Sequence, residues 1–286
     1  MGGVVARPAA PGPTTRWGGA DDAKPRMVRH AARISAFSRP GAGPERRSIP
    51  VHISIITLFP DLVQPYLETT VLGRGVKAGR LQVDVVALRA FGQGRHQIVD
   101  DRPFGGGPGM VLLAEPVIQS VEATRARHGP DVRTILLSPK GRRLTQARVE
   151  ELATQPDGLI LLCGRYEGID ERAIEILQPE QISIGDYVLS GGEAAAVVVL
   201  DAVARLIPGV LGDERSPQQD SFSGDERILD HPHYTRPLEV RGRGVPPVLR
   251  SGNHAEIAKW RRDQALERTR RSRPDLLAPT PEEETR

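Results

Sequence analysis

The chain holds a single cysteine, Cys163, in 286 residues. One thiol excludes an intramolecular disulfide and any cysteine-built metal cage, and it fits a reducing compartment. Long apolar runs are missing as well. The longest, such as Ala194–Leu200, fall far short of the roughly 20 residues needed to cross a bilayer. A soluble, cytoplasmic protein is expected. Phosphate-binding signatures are absent: no GxGxxG, and no glycine-rich turn followed by Lys-Ser or Lys-Thr. That excludes the usual nicotinamide and ATP enzymes. There is no internal repeat. Hydrophobic content is low, at 38%, yet sufficient for a core.

The pI of about 9.3 suggests a nucleic-acid binder, but the surplus is local. Residues 1–50 carry nine Lys/Arg against three acids, a surplus of six. The whole chain is +3, so residues 51–286 sum to −3. Any basic surface on the folded part must therefore be a patch rather than a net property. Residues 1–50 are rich in Pro, Gly, Ala and Arg without apolar periodicity, and cannot offset their ordering entropy. A disordered tail, an extension upstream of a true start at Val51, and an Arg-rich transit peptide all fit.

From Val51 the pattern changes. VHISIITL (51–58), LQVDVVAL (81–88), RTILLS (133–138), GLILLCG (158–164) and QISIG (181–185) read as strands. Segments 61–76, 115–127, 145–153, 169–177 and 193–207 read as helices. Alternating strands and helices predict an α/β domain with a mainly parallel sheet and helices on both faces. It is expected to span 51–211. A flexible linker (212–219) then leads to a small helical domain (220–286). There Asn253 caps a helix over 254–271 that turns Ile257, Trp260 and Leu266 inward. Lys259, Arg261, Arg262, Arg268, Arg270 and Arg271 lie on its other faces.

Four glycine-punctuated stretches stand out: DDRPFGGGPGM (100–110), LLSPKGRRL (136–144), LLCGRYEGID (161–170) and SIGDYVLSGGE (183–193). The last three each follow a strand, and loops at the carboxyl ends of a parallel sheet are where ligands bind. Their lining is backbone with Tyr166, Tyr187, Leu137 and Leu189, and few cations. Such a lining suits an adenine and ribose without phosphates, read by backbone amides and carbonyls between apolar side chains.

These motifs, with LFPD, GRGVK, IPGVLG, DSF, PHYTRP and VPPVLRSGNHAEI in order, make residues 51 to about 277 resemble the bacterial tRNA (guanine-N1)-methyltransferases. That family belongs to the SPOUT-type knotted methyltransferases. The resemblance implies a C-terminal trefoil knot in the α/β domain that holds bent S-adenosylmethionine. It also implies an antiparallel homodimer with a shared active site, and transfer of a methyl group to N1 of the guanine immediately 3′ of the anticodon in tRNA. Carried over, the cofactor contacts are Gly164, Ile184, Gly185, Asp186, Tyr187, Val188 and Leu189. Leu137, Ser138, Pro139, Gly191 and Gly192 form the surrounding walls. Asp220 matches the family's general base, and Arg205 the residue supporting charge on O6. Taken alone, Asp220 reads as an N-cap ahead of Ser221, and Arg205 as a solvated residue at a helix C-terminus.

The resemblance links Glu167 to Mg²⁺-dependent activity, although no metal cluster shows by spacing. Candidate RNA contacts are Asp101, Arg102, His231, His233, Tyr234, Arg236, Lys259 and Arg262. Tyr234 fits equally as a base-stacking ring or as packing. Two departures from the family are AAAVVV after GGE, where Leu-Pro is usual, and a slightly longer segment at Ser223–Arg227. Two other readings stay open: a related knotted methyltransferase acting on a different RNA, and a catalytically dead RNA-binding module. The presence of DSF, PHYTRP and SGNHAEI argues against the first, and that of Asp220 and Arg205 against the second.

Overall fold

Alternation in burial along the strands shows how the layers form. In the computed structural model, which describes residues 51–277 except 130, 156, 214 and 215, strand β1 (Val51–Thr57) is buried without a break from Ile53 to Thr57. The expectations for residues 1–50 lie outside the described residues. Ile53 and Ile55 face one core and Ile56 the other. Strand β2 (Leu81–Ala87) follows a 3₁₀ turn (Pro60–Leu62) and two short helices, α1 (Gln64–Glu68) and α2 (Thr70–Lys77). A two-stranded hairpin, β3 (Asp100–Asp101) with β4 (Val111–Leu112), brackets the glycine-rich 100–110 stretch. Then come α3 (Ala114–His128), β5 (Arg133–Arg143), α4 (Gln146–Ala153), β6 (Leu159–Cys163), α5 (Glu171–Leu177), β7 (Glu180–Ser183) and α6 (Glu193–Ala204).

The main sheet has the order β2-β1-β6-β5-β7, and every pairing in it is parallel. Central β6 is almost wholly excluded from solvent. Leu159 and Leu161 contribute to the core under α4 and α6; Ile160 and Leu162 contribute to the one under α3 and α5. Each such side chain contributes roughly 1.5–3 kcal/mol on burial. A parallel sheet covered on both faces accounts for its unbroken apolar strands.

Two local expectations needed revision. The helix read over 61–76 is broken: Thr69 is extended (φ −117°, ψ 167°) and Thr70 has φ 56°. Pro60 and Pro65 each open a separate short segment. The strand ending near 138 instead continues to Arg143 through a bulge, with both Leu137 and Arg142 registering on Ile182. Gly141 permits this, because a Cβ there would lie 2.4 Å from the Gln181 and Ile182 backbone.

Beyond α6 lie α7 (Ser216–Gln219), a β8 (Glu239–Val240) and β9 (Arg243–Gly244) hairpin, and α8 (His254–Ser272). The Asn253 side chain accepts hydrogen bonds from the Ala255 and Glu256 amides, at 3.2 and 3.3 Å, as an N-cap should. The deepest residues of α8 are Ala265 and Thr269; Ile257, Trp260 and Leu266 are only half-buried. No helix among the described residues is long and apolar enough to cross a membrane.

Candidate functional site

Strands β6, β5 and β7 are neighbours, so their three loops emerge side by side at the carboxyl edge of the sheet. The β5 bulge carries Ser138 and Pro139 outward while Leu137 stays in the core. Gly164 ends β6; a side chain built on it would find only the Leu137 carbonyl oxygen, 3.8 Å away. The 184–192 run leaves edge strand β7 and crosses to β6. There the Gly192 amide donates to the Gly164 carbonyl at 2.9 Å, and Arg165 bridges to Gly191. Gly192 is obligatory, since a Cβ would stand 2.8 Å from the Cys163 Cα. Along this run Gly185 is buried, while Asp186, Tyr187, Val188 and Leu189 are exposed and Ile184 is half-buried. Ser183 Oγ donates to the Gly185 carbonyl at 2.9 Å and holds the turn. The nominated walls and contacts thus gather at one edge, around the space open beside Gly164.

A buried network under these loops was not anticipated. Arg165 Nε lies 2.9 Å from Glu193 Oε2, with side chains only 16% and 4% exposed. Neither atom has a better-directed partner, so the contact is an ion pair rather than an aligned hydrogen bond. Thr57 Oγ1 donates to the other Glu193 oxygen at 2.6 Å and accepts from the Phe59 amide at 2.9 Å. The guanidinium rests 4.4 Å over the Phe59 ring and donates to the Ser190 carbonyl at 3.2 Å. Arg165 and Glu193 sit inside RYEGID and SGGE, so the signal was a charged residue beside a glycine turn. Below them, burial and the nearby Glu193 push the Cys163 thiol up, leaving it protonated and inert.

Glu167 lies on the facing loop. Its amide donates to the Met110 carbonyl at 3.0 Å, and its side chain fills the space beside Gly109, where a Cβ would be 2.5 Å from Oε1. Asp101 and Arg102 are exposed at the start of the same loop.

Asp220 does not cap a helix. Its carboxylate receives the Arg205 guanidinium at 2.5 Å, both side chains being 42% exposed. Arg205 is the C-cap of α6 and Asp220 directly follows α7, so the fold joins two residues that lie fifteen positions apart. The segment after Asp220 is tied down. Phe222 N donates to the Ile228 carbonyl at 2.8 Å, and Arg227 makes two 2.7 Å contacts with Glu150 of α4. That guanidinium holds the Glu150 carboxyl below its usual range.

The remaining nominated residues divide. Tyr234 is 48% exposed and lies 6.3 Å from the Trp260 ring at 55°. His231 and His233 surround Asp230. Arg262 pairs with Glu226 at 2.5 Å on an exposed face. Arg268, read as a solvent-facing cation, instead donates to the Asp230 carbonyl at 3.4 Å from a half-buried position. Arg236 and Lys259 lie apart from the three loops in sequence, on the segments that precede and form α8.

Comparison with known proteins is consistent along nearly the whole described chain. The family model described as tRNA (Guanine-1)-methyltransferase TrmD matches residues 51–279. A tRNA (guanine-N(1)-)-methyltransferase of Methylococcus capsulatus is 54% identical over 228 residues, covering 80% of this chain and 90% of that protein. One from Alcanivorax borkumensis is 56% identical over 226 residues, covering 79% and 84%. One from Escherichia coli O81 is 53% identical over 225 residues, covering 79% and 87%.

Proposed function

The chain belongs to the tRNA (guanine-1)-methyltransferase family, and from that premise we propose that it methylates N1 of the guanine immediately 3′ of the anticodon, with Asp220 as general base. The Asp220–Arg205 pair carries this reading, since the reaction needs a base and a cation together. Guanine N1 bears a proton and is a poor nucleophile until that proton leaves, whereupon negative charge spreads to O6. Entry of guanine would draw Arg205 to O6 and free Asp220 for the N1 proton. A positioned base contributes about 10²–10⁴ in rate, and an aimed donor about 10²–10³.

S-adenosylmethionine supplies an electrophilic methyl group when bound. The residues fit it: open space beside Gly164 and the exposed 186–189 run suit an uncharged purine. Gly164, Ile184–Leu189, Gly191 and Gly192 would hold it, with Leu137, Ser138 and Pro139 as walls. The crossing of the 184–192 run from the sheet edge to β6, ahead of α6, supports a trefoil knot there. Mg²⁺ would be weakly held, since Glu167 offers one carboxylate and water or substrate oxygens must complete the shell. Asp101, Arg102, His231, Tyr234, Arg236, Lys259 and Arg262 are proposed to meet the RNA, and the protein to act as a homodimer.

The test uses two tRNA transcripts that differ only in guanine or adenine 3′ of the anticodon, with labelled S-adenosylmethionine. Label on the guanine transcript alone, lost at least about 100-fold in Asp220→Ala, is expected. Equal labelling of both transcripts, or an unimpaired mutant, overturns the reading.

A further inference from the structure

We propose that Asp230, His231 and His233 form a binding site for a zinc-class divalent cation, with one carboxylate and two imidazole ligands and a fourth position open. Among the described residues this is the one group of three or more potential ligands close enough to share an ion: its ligand atoms all lie within 4.8 Å of one another.

The local chain explains the convergence. Residues 227–235 adopt no regular helix or strand. His231 and His233 are alternate residues, and their rings stand 4.5 Å apart at 47°. Asp230 reaches both, with Oδ2 2.7 Å from His233 Nε2 and Oδ1 3.7 Å from His231 Nε2. A tetrahedral ion with bonds of about 2.0–2.2 Å sets its ligands roughly 3.4 Å apart. The Asp230–His231 spacing is already close to that. The His233 ring needs to retreat by less than about 1 Å, and its side chain is 71% exposed and has room to do so.

The outer contacts favour a metal. His231 Nδ1 is 3.1 Å from the Pro232 carbonyl, which can only accept. The proton therefore belongs on Nδ1, which leaves Nε2, 3.7 Å from Asp230 Oδ1, as the ligand atom. A carbonyl on the far nitrogen is the usual support of a metal-binding imidazole, and the His231 amide orients Asp230 by donating to its Oδ1 at 2.6 Å. The backbone leading into the cluster is fixed. The Asp230 amide donates to Ser221 Oγ at 3.0 Å, and the Leu229 amide donates to the buried Thr269 Oγ1 at 3.0 Å. Two nitrogens and one oxygen select zinc and its transition-metal neighbours over Mg²⁺ or Ca²⁺, which prefer oxygen shells. This site is therefore distinct from any Mg²⁺ requirement at Glu167.

Occupancy would be felt nearby. Ser221, which Asp230 binds, adjoins Asp220, and the Phe222–Ile228 hydrogen bond closes the loop between them. An ion would brace that loop; this consequence rests on the role assigned to Asp220, whereas metal binding does not.

The test is equilibrium dialysis of Zn²⁺ alone against the full chain, stripped by chelation, with Co²⁺ absorption as a second readout. One Zn²⁺ per chain and the visible bands of four-coordinate Co²⁺ are expected, with a large Mg²⁺ excess leaving both unchanged. His231→Ala and His233→Ala should each weaken binding at least about tenfold. Circular dichroism checks the fold, and exposed His233 can be removed without opening a cavity. No saturable binding, binding that survives both substitutions, or displacement by Mg²⁺ would each overturn the site.

Discussion

The most exacting residues lie just beneath the candidate site rather than in it. Glu193 is 4% exposed, and Arg165 is its counter-charge. Removing one partner of a buried pair leaves an uncompensated charge at about 3–5 kcal/mol, whereas replacing both with apolar groups is far milder. Arg165→Met should therefore lower the urea midpoint sharply, and Arg165→Met with Glu193→Leu should recover much of it. A single mutant no worse than the double would show that the pair holds little of the glycine turn in place. Sequence shows the two residues but not their partnership: they lie 28 positions apart and meet only because the 184–192 run returns to β6. The Arg205–Asp220 contact was hidden for the same reason. Each residue alone reads as a solvated charge.

Elements differ in how much of them sequence carries. The five strands were legible because each is a short apolar run, and central β6 (LILLC) is unbroken since both faces of the sheet are buried there. Periodicity alone did not show the break at Thr69, where the prolines start separate short segments, nor the bulge at Gly141, which is set by the close approach of the Gln181–Ile182 backbone. Another feature invisible to pattern lies where β1, β2 and the end of α3 meet. His52 stacks on His128 at 3.8 Å and bonds to Asp84 at 2.9 Å, while His128 Nε2 meets Ser54 Oγ at 2.8 Å. Burial, and then the neighbouring His52, lower the His128 pKa, with Arg127 adding to the effect and Asp84 and the Asp157 carbonyl opposing it. The unfolded chain therefore binds a proton more readily than the native one. His128 contributes stability that is fully present above its ordinary pKa and is lost as pH falls from about 6.5. One group can tilt stability by at most about 1.4 kcal/mol per pH unit. Asp84, whose hydrogen bond to His52 lowers its pKa, adds a second loss only below the usual carboxylate range. Urea midpoints at pH 7 and 5.5 should converge in His128→Gln relative to the parent. An unchanged gap would place the titration elsewhere.

At the scale of the whole molecule, the question is whether one chain makes one site. Tyr187, Val188 and Leu189 are 56%, 84% and 42% exposed, and Val198 on α6 is 46% exposed. Such an apolar surface on and beside the 184–192 run favours a covering partner, in keeping with the proposed homodimer. An isologous dimer makes a sharp prediction if the base-bearing segment of one subunit closes over the cofactor loops of the other. Asp220→Ala retains its loops. Gly185→Val loses them, because its φ is 154° and a Cβ there would lie 2.4 Å from the Tyr187 ring. Each variant alone should be inactive. Unfolded gently together and refolded, half of the dimers are mixed, and in each of those one site joins an intact Asp220 to intact loops. Activity should return to about a quarter of the wild-type rate. A site contained within one chain regains nothing, because every chain in the mixture carries one lesion. Sedimentation of the same samples reads the second half of the claim: particles of twice 31.1 kDa are required, and complementation by species of monomer mass would refute the shared site as firmly as its absence.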